Sequence, residues 1–176
     1  MRKLVVVMAI VALPMLLSVG TVSGDEDDDD FVSSVKVRGI ERFVPNRTFY
    51  SNLRFAPGDF RVKSGQSVTW VDADRTEAPH SVTIVEETDL PATFPDNIFC
   101  FEPGNACGTA LAGHFPPGAP PVFVLDSGQP GLDTPGDSLL FFDGGSASAV
   151  ISAPAGTTLH YLCAFHPWMQ GTIRVK

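Results

Sequence analysis

From Val35 onward, apolar residues alternate with polar ones over short runs, and Gly, Pro and Asp punctuate the runs. VKVRGI (Val35 to Ile40), FRVKSGQSVTWV (Phe60 to Val71) and HSVTIVE (His80 to Glu86) have this period of two or carry β-branched residues, the mark of half-buried strands. SASAVISAP and GTTLHYLC repeat the pattern, and GTIRVK closes the chain. No stretch after residue 30 shows a helical period. Many short strands separated by turn signals predict an all-β fold, an antiparallel sandwich or barrel.

The stretch from Glu87 to Asp137 breaks the rhythm. It holds most of the prolines, many glycines, Cys100, Cys107 and His114. A long, weakly periodic segment inside a small domain is expected to be functional or to decorate the scaffold. There is no internal repeat and no sign of a second domain, so residues 34–176 are read as one domain with an insertion at about 87–137.

The N-terminus belongs to another class of segment. Met1, Arg2 and Lys3 precede an apolar run from Leu4 to Val19, and small residues end at Val22, Ser23 and Gly24. This predicts a secretory signal over residues 1–24, cleaved after Gly24. A retained membrane anchor is the alternative, but Pro14 interrupts a run already shorter than the about 20 apolar residues a span needs. The expected location is therefore the periplasm or the extracellular space, tethered to the membrane if the signal stays. Without Arg2 and Lys3, ten basic residues face twenty acidic ones, six of them in DEDDDD (Asp25 to Asp30). Residues 25–33 are expected to be a solvated acidic tail, because contiguous acids lack the spacing of a calcium loop. Nothing supplies a basic face for phosphates, which argues against nucleic acid as a partner.

Export changes how the cysteines read, since thiols pair in an oxidising compartment. Cys100 and Cys107, close together in CFEPGNAC, are expected to form a disulfide. Cys163 is then unpaired, and a metal is the natural holder of such a thiol. It lies in HYLCAFHPWMQG, where Cys163, His166 and Met169 recur at intervals of three. On a strand GTTLHYLC, His160 points away from the Cys163 face, whereas His80 shares its own face with the core residues Val82 and Ile84. His80, Cys163, His166 and Met169 together make two imidazoles, a thiolate and a thioether, the donor set of a trigonal copper site with a weak axial sulfur. Zinc also takes Cys and His, but a thioether is a poor zinc ligand. His114 with Cys100 and Cys107 lacks a fourth ligand.

The stretches FAPGDFRVKSGQSVTWVDADRTEAPHSVT and YLCAFHPWMQGTIRV resemble the cupredoxins, the type 1 blue copper proteins of the plastocyanin, amicyanin and azurin kind. The resemblance covers roughly residues 53 to 86 and 137 to 176, and the two-residue gaps of the ligand loop are like amicyanin's. It implies a Greek-key β-sandwich that binds one copper ion through His80, Cys163 and His166, with Met169 axial. The implied activity is single-electron transfer, Cu(I)/Cu(II), between redox proteins, by a monomer that is not an enzyme. Ser81 stands where the family usually has Asn beside the first ligand, so the reduction potential does not carry over.

His166 is expected to be the electron port, its imidazole edge toward solvent, with Phe165, Pro167 and Trp168 as an apolar docking collar. Enzyme readings fail on composition. No base with an orienting third group is visible for a Cys–His hydrolase, and there are no His-x-His pairs for a multicopper oxidase. The rival is a copper-binding module for storage, delivery or sensing, which would expose exchangeable Met or His ligands. Asn46, Arg47 and Thr48 form a glycosylation sequon by pattern alone.

Overall fold

A computed structural model describes residues 31–176, apart from Arg75, Glu77 and Gln129. The signal segment and the DEDDDD run lie outside the described residues. Twelve strands are present among them: β1 (Ser34–Arg38), β2 (Glu41–Val44), β3 (Thr48–Ser51), β4 (Arg54–Ala56), β5 (Asp59–Val62), β6 (Ser67–Asp72), β7 (His80–Val85), β8 (Val124–Leu125), β9 (Ser138–Phe141), β10 (Ser146–Val150), β11 (Thr158–Leu162) and β12 (Gln170–Val175). One sheet has the order β10-β6-β1-β4 and the other β5-β12-β11-β7-β9-β8, while β2 and β3 form a separate hairpin. The chain crosses between the sheets after β4, β5, β6, β9 and β10. This is the expected cupredoxin-like Greek-key sandwich, with mostly antiparallel ladders and parallel β1–β6 and β5–β12 pairs.

Alternation sets the inner face. In β6, Val68, Trp70 and Asp72 point inward, and in β1 Val35 and Val37 do the same. Trp70 and Tyr161 meet edge to face at 6.4 Å, and Phe55 lies 4.9 Å from Tyr161. These rings fill the space between the sheets, and the Tyr161 hydroxyl donates to the Gly58 carbonyl at 2.8 Å.

Three expectations change. Phe31–Ser33, read as the end of the acidic tail, join the domain: Val32 N–H donates to Arg61 O, and Ser33 O accepts from Thr69 N–H. The run FRVKSGQSVTWV is two strands, because Gly65 at φ 82° turns the chain between β5 and β6. The insertion contains helices, α1 (Phe94–Phe99) and α2 (Ala106–His114). Helix α1 begins with a capping box in which Thr93 and Asp96 satisfy each other's free N–H groups. Helix α2 is built of small residues on every side, so it carries no apolar stripe to read.

The expected Cys100–Cys107 disulfide is present. It ties the two helices together, and Cys100, Cys107 and Ala110 pack on Val85, Leu162 and Ala164. Those three are the outward-facing side chains of β7, β11 and the ligand loop. The insertion is therefore a roof on the outer face of the larger sheet, and it leaves every residue of β7 and β9 buried.

Candidate metal centre

Strand β7 opens with His80 pointing into the sandwich, and β11 delivers Cys163 one residue past its end. The loop that follows is tied by its own backbone: His166 N–H donates to Cys163 O, Met169 N–H to His166 O, and Cys163 N–H to Met169 O. Such a closed turn brings His166 back over the sulfur. His80 Nδ1 lies 3.9 Å and His166 Nδ1 3.6 Å from Cys163 Sγ, and the three donor atoms fall within 4.8 Å of one another. Met169 is fully buried in the same core.

The surroundings favour a soft cation. Asp74 accepts from His80 Nε2 at 2.9 Å, with both side chains fully buried, which selects the Nε2–H tautomer of the neutral ring and turns Nδ1 toward the sulfur. Burial, and then the neighbouring His80, push the His166 pKa down to about 4, so its imidazole is neutral at ordinary pH. Burial also pushes the Cys163 thiol up, against the N–H groups of Ser81, Phe165 and His166. A bound cation is what would hold it as thiolate. The donor set and the tautomer thus fit a thiophilic metal. Asp72, Asp74 and His80 form a second close group, but there His80 would have to offer the Nε2 already given to Asp74.

Ser81 holds the two ligand segments together. Its N–H donates to Cys163 Sγ at 3.3 Å, and its hydroxyl accepts from Ala164 N–H at 2.8 Å. One hydroxyl and one N–H therefore join the ligand segments where the resemblance leads one to expect Asn.

The solvent side differs from expectation. His166 is only 6 % exposed. The β2–β3 hairpin reaches over it, placing Glu41 Oε1 3.8 Å from His166 Nε2, too far for a hydrogen bond. That buried carboxylate oxygen has no hydrogen-bond partner. Of the expected collar, Pro167 is buried and Phe165 packs edge to face on Phe115 of the insertion. Trp168 alone is exposed, at 37 %. Its ring lies 5.3 Å from His166 and 6.3 Å from Phe49 of the hairpin.

His160 faces away from the centre as expected, 3.8 Å from Glu87. His114 is not beside a metal-like cluster with Cys100 and Cys107; it is fully buried and bonded to Val122 O and Ser138 Oγ. Sequence reasoning missed Asp74 and Glu41. The Asp six residues before His80 was a usable signal, whereas nothing local marks Glu41 as a neighbour of His166.

No protein-family model matches the chain, and no curated protein matches it by sequence. Among solved structures it is similar to a purple cupredoxin from Nitrosopumilus maritimus, with 14 % identity, 82 % of this chain and 99 % of that one covered, and a TM-score of 0.43. It is also similar to auracyanin from Roseiflexus castenholzii, with 18 % identity, coverage of 83 % and 98 %, and a TM-score of 0.45. Auracyanin A, a "blue" copper protein from Chloroflexus aurantiacus, matches with 15 % identity, coverage of 81 % and 98 %, and a TM-score of 0.43.

Proposed function

We propose that the chain is an exported electron carrier holding one copper ion at His80, Cys163 and His166, with Met169 as the weak axial donor. The observation that carries this reading is the convergence of two imidazole Nδ1 atoms on one buried thiol, on a loop closed by its own backbone. Copper bound there supplies a one-electron couple between Cu(II) and Cu(I). The protein's part is to keep the donors fixed. Asp74 locks the His80 tautomer, Ser81 pins the Cys163 loop to β7, and the core around Met169 excludes water. Donors that cannot move keep the reorganisation on electron exchange small.

Burial of all four residues also weighs against the storage or delivery reading, which needs ligands that exchange metal at the surface. Electrons leave by way of Trp168, the exposed ring against His166, toward a redox protein that docks briefly on this end. Export rests on the signal segment. The mass of the protein recovered outside the cytoplasm tests it, with a mature start at Asp25 expected.

Visible absorption and electron paramagnetic resonance of the Cu(II)-loaded protein test the centre. An intense thiolate-to-copper band with small hyperfine splitting is expected, and Cys163→Ser should abolish it. Met169→Gln should keep the colour and lower the potential. A pale wild-type sample with ordinary hyperfine splitting would mean that Cys163 does not ligate, and the electron-transfer reading would fall.

A further inference from the structure

A line of buried hydrogen bonds joins the insertion to the ligand loop. His114 Nε2 lies 2.8 Å from Ser138 Oγ, Ser138 Oγ 2.7 Å from Thr83 Oγ1, and Thr83 Oγ1 3.0 Å from Ser81 Oγ. Ser81 Oγ accepts from Ala164 N–H, beside Cys163. Thr83 and Ser138 are cross-strand partners on β7 and β9, and Ser81 lies two residues along the same face. All four side chains are almost fully buried, so no water competes for their protons.

Both ends of this line are fixed. At one end, Ala164 N–H can only donate. At the other, His114 Nδ1 lies 2.6 Å from the Val122 carbonyl, which can only accept, so Nδ1 carries the proton. A neutral His114 then offers Nε2 as an acceptor, and Ser138 must donate to it. With the Ser138 proton committed, Thr83 donates to Ser138 and Ser81 donates to Thr83. Every hydroxyl in the line gives one hydrogen bond and accepts one.

We propose that His114 is a positioning residue for the redox centre: it draws the three hydroxyl protons toward the insertion and so keeps the Ser81 hydroxyl from donating to the Cys163 sulfur. That sulfur receives the N–H of Ser81, and the Ser81 hydroxyl lies near enough to act on it, so the direction of the line decides whether its proton goes to the sulfur or to Thr83. A hydroxyl donated to a thiolate withdraws charge from it and favours the reduced metal, raising the potential. The insertion thus acts on the centre through Ser81, the residue that replaces the family's usual Asn. The effect on potential rests on the copper reading above; the direction of the hydrogen bonds does not.

The test pairs Thr83→Val, which keeps the shape and removes the hydroxyl, with Thr83→Ser, which keeps the hydroxyl. In Thr83→Val the Ser81 proton loses its acceptor and turns to the sulfur, so the midpoint potential of the copper-loaded protein should rise and the thiolate-to-copper band should shift. Thr83→Ser should return both to wild-type values. No shift in Thr83→Val, or a downward one, overturns the proposal. On metal-free protein, ¹⁵N chemical shifts of the His114 ring should show Nδ1 protonated and Nε2 as a hydrogen-bond acceptor. A protonated Nε2 at neutral pH overturns it as well. Failure of the wild type to turn blue would sink the copper reading alone, because the ring shifts would still decide the direction of the line.

Discussion

The β2–β3 hairpin and the helical insertion both reach the metal end, by opposite means. The insertion lies on the outer face of the larger sheet and is buried against it, through the disulfide, Ala110 and a fully internal His114. It reaches Cys163 through hydroxyl groups that water cannot enter. The hairpin stands off the sandwich as its own two-stranded sheet, with Phe43 71 % and Phe49 55 % exposed. It reaches His166 with one carboxylate and one aromatic edge. The first arrangement fixes the site from within, while the second leaves apolar surface beside the only exposed ring of the ligand loop. Stability and tuning should therefore depend on the insertion, and partner contact on the hairpin.

The largest expected effect comes from cutting the disulfide. Cys100→Ala with Cys107→Ala opens a loop of eight residues, for which chain entropy gives a loss of about 2–3 kcal/mol. The melting temperature should fall by roughly 5–10 °C, and the slow-exchanging amides of β7 and β9 should exchange faster. Replacing the hairpin tip by a short glycine turn should cost far less. Equal losses for the two changes, measured by thermal unfolding of metal-free protein, would erase the distinction.

The next effect depends on pH. Burial lowers the His114 pKa, so the unfolded chain takes up a proton before the folded one does. Stability is then complete above about pH 6.5, the ordinary histidine value, and falls as the pH drops below it until the lower folded value is passed. In that window His114 contributes up to about 1.4 kcal/mol per pH unit. His114→Gln should reduce the slope of the metal-free stability profile in this window without abolishing it, because His166, also held low by burial, contributes there too. An unchanged slope in His114→Gln would mean that His114 is not the residue that senses acid.

The two regions also differ in how far the sequence disclosed them. The grouping of His80, Cys163 and His166 was legible because their chemistry is rare and their spacing is local: two of them sit with Met169 on one closed turn, and His80 starts a strand whose inner face is plain. The disulfide was legible from compartment and proximity. The line through Ser81, Thr83, Ser138 and His114 was not, because Ser and Thr on alternate positions of a strand read as a solvent face. Only the insertion, folded back over that face, turns them inward. The helices of the insertion escaped for a related reason. Helix α1 is six residues long, and α2 has no polar side to contrast with its small apolar residues. In ERFVPNRTFY the turn at Asn46, with φ 59°, could have marked a hairpin. Its exposed aromatics gave no inside and outside to alternate between. What it covers follows from the packing of β2 and β3 on a loop more than a hundred residues away.

A smaller change tests the electrostatic half of the hairpin's reach. Glu41→Gln keeps the shape of the buried carboxyl beside His166 and removes its charge. Desolvation raises the Glu41 pKa, so the difference between the two proteins should grow as the pH rises and the carboxyl ionises. Losing a negative charge near the centre disfavours the more positive Cu(II) state, so the midpoint potential should rise while the visible band stays in place. A fall in potential would mean that Glu41 does not act through its charge.

Phe49→Ala should have the smallest effect on the folded protein and the most selective effect on exchange. The ring is half exposed, and its one aromatic contact is the edge-to-face meeting with Trp168, worth about 0.5–1.5 kcal/mol. Part of that is offset by water reaching a surface already wet, so the stability loss should stay below about 1 kcal/mol. The contact of Phe49 is with the Trp168 ring, and none of the hydrogen bonds that hold the Cys163 loop or the line to His114 involves its side chain, so band position and potential should not move. Trp168 would lose the neighbour that holds its ring and broadens the apolar surface around it. Electron exchange with a protein partner should slow, as it should more strongly in Trp168→Ala, while exchange with a small inorganic oxidant stays nearly constant. A loss above about 2 kcal/mol would place the hairpin with the insertion as a structural element. An unchanged protein-partner rate would leave Trp168 as the sole contact and remove the hairpin from docking altogether.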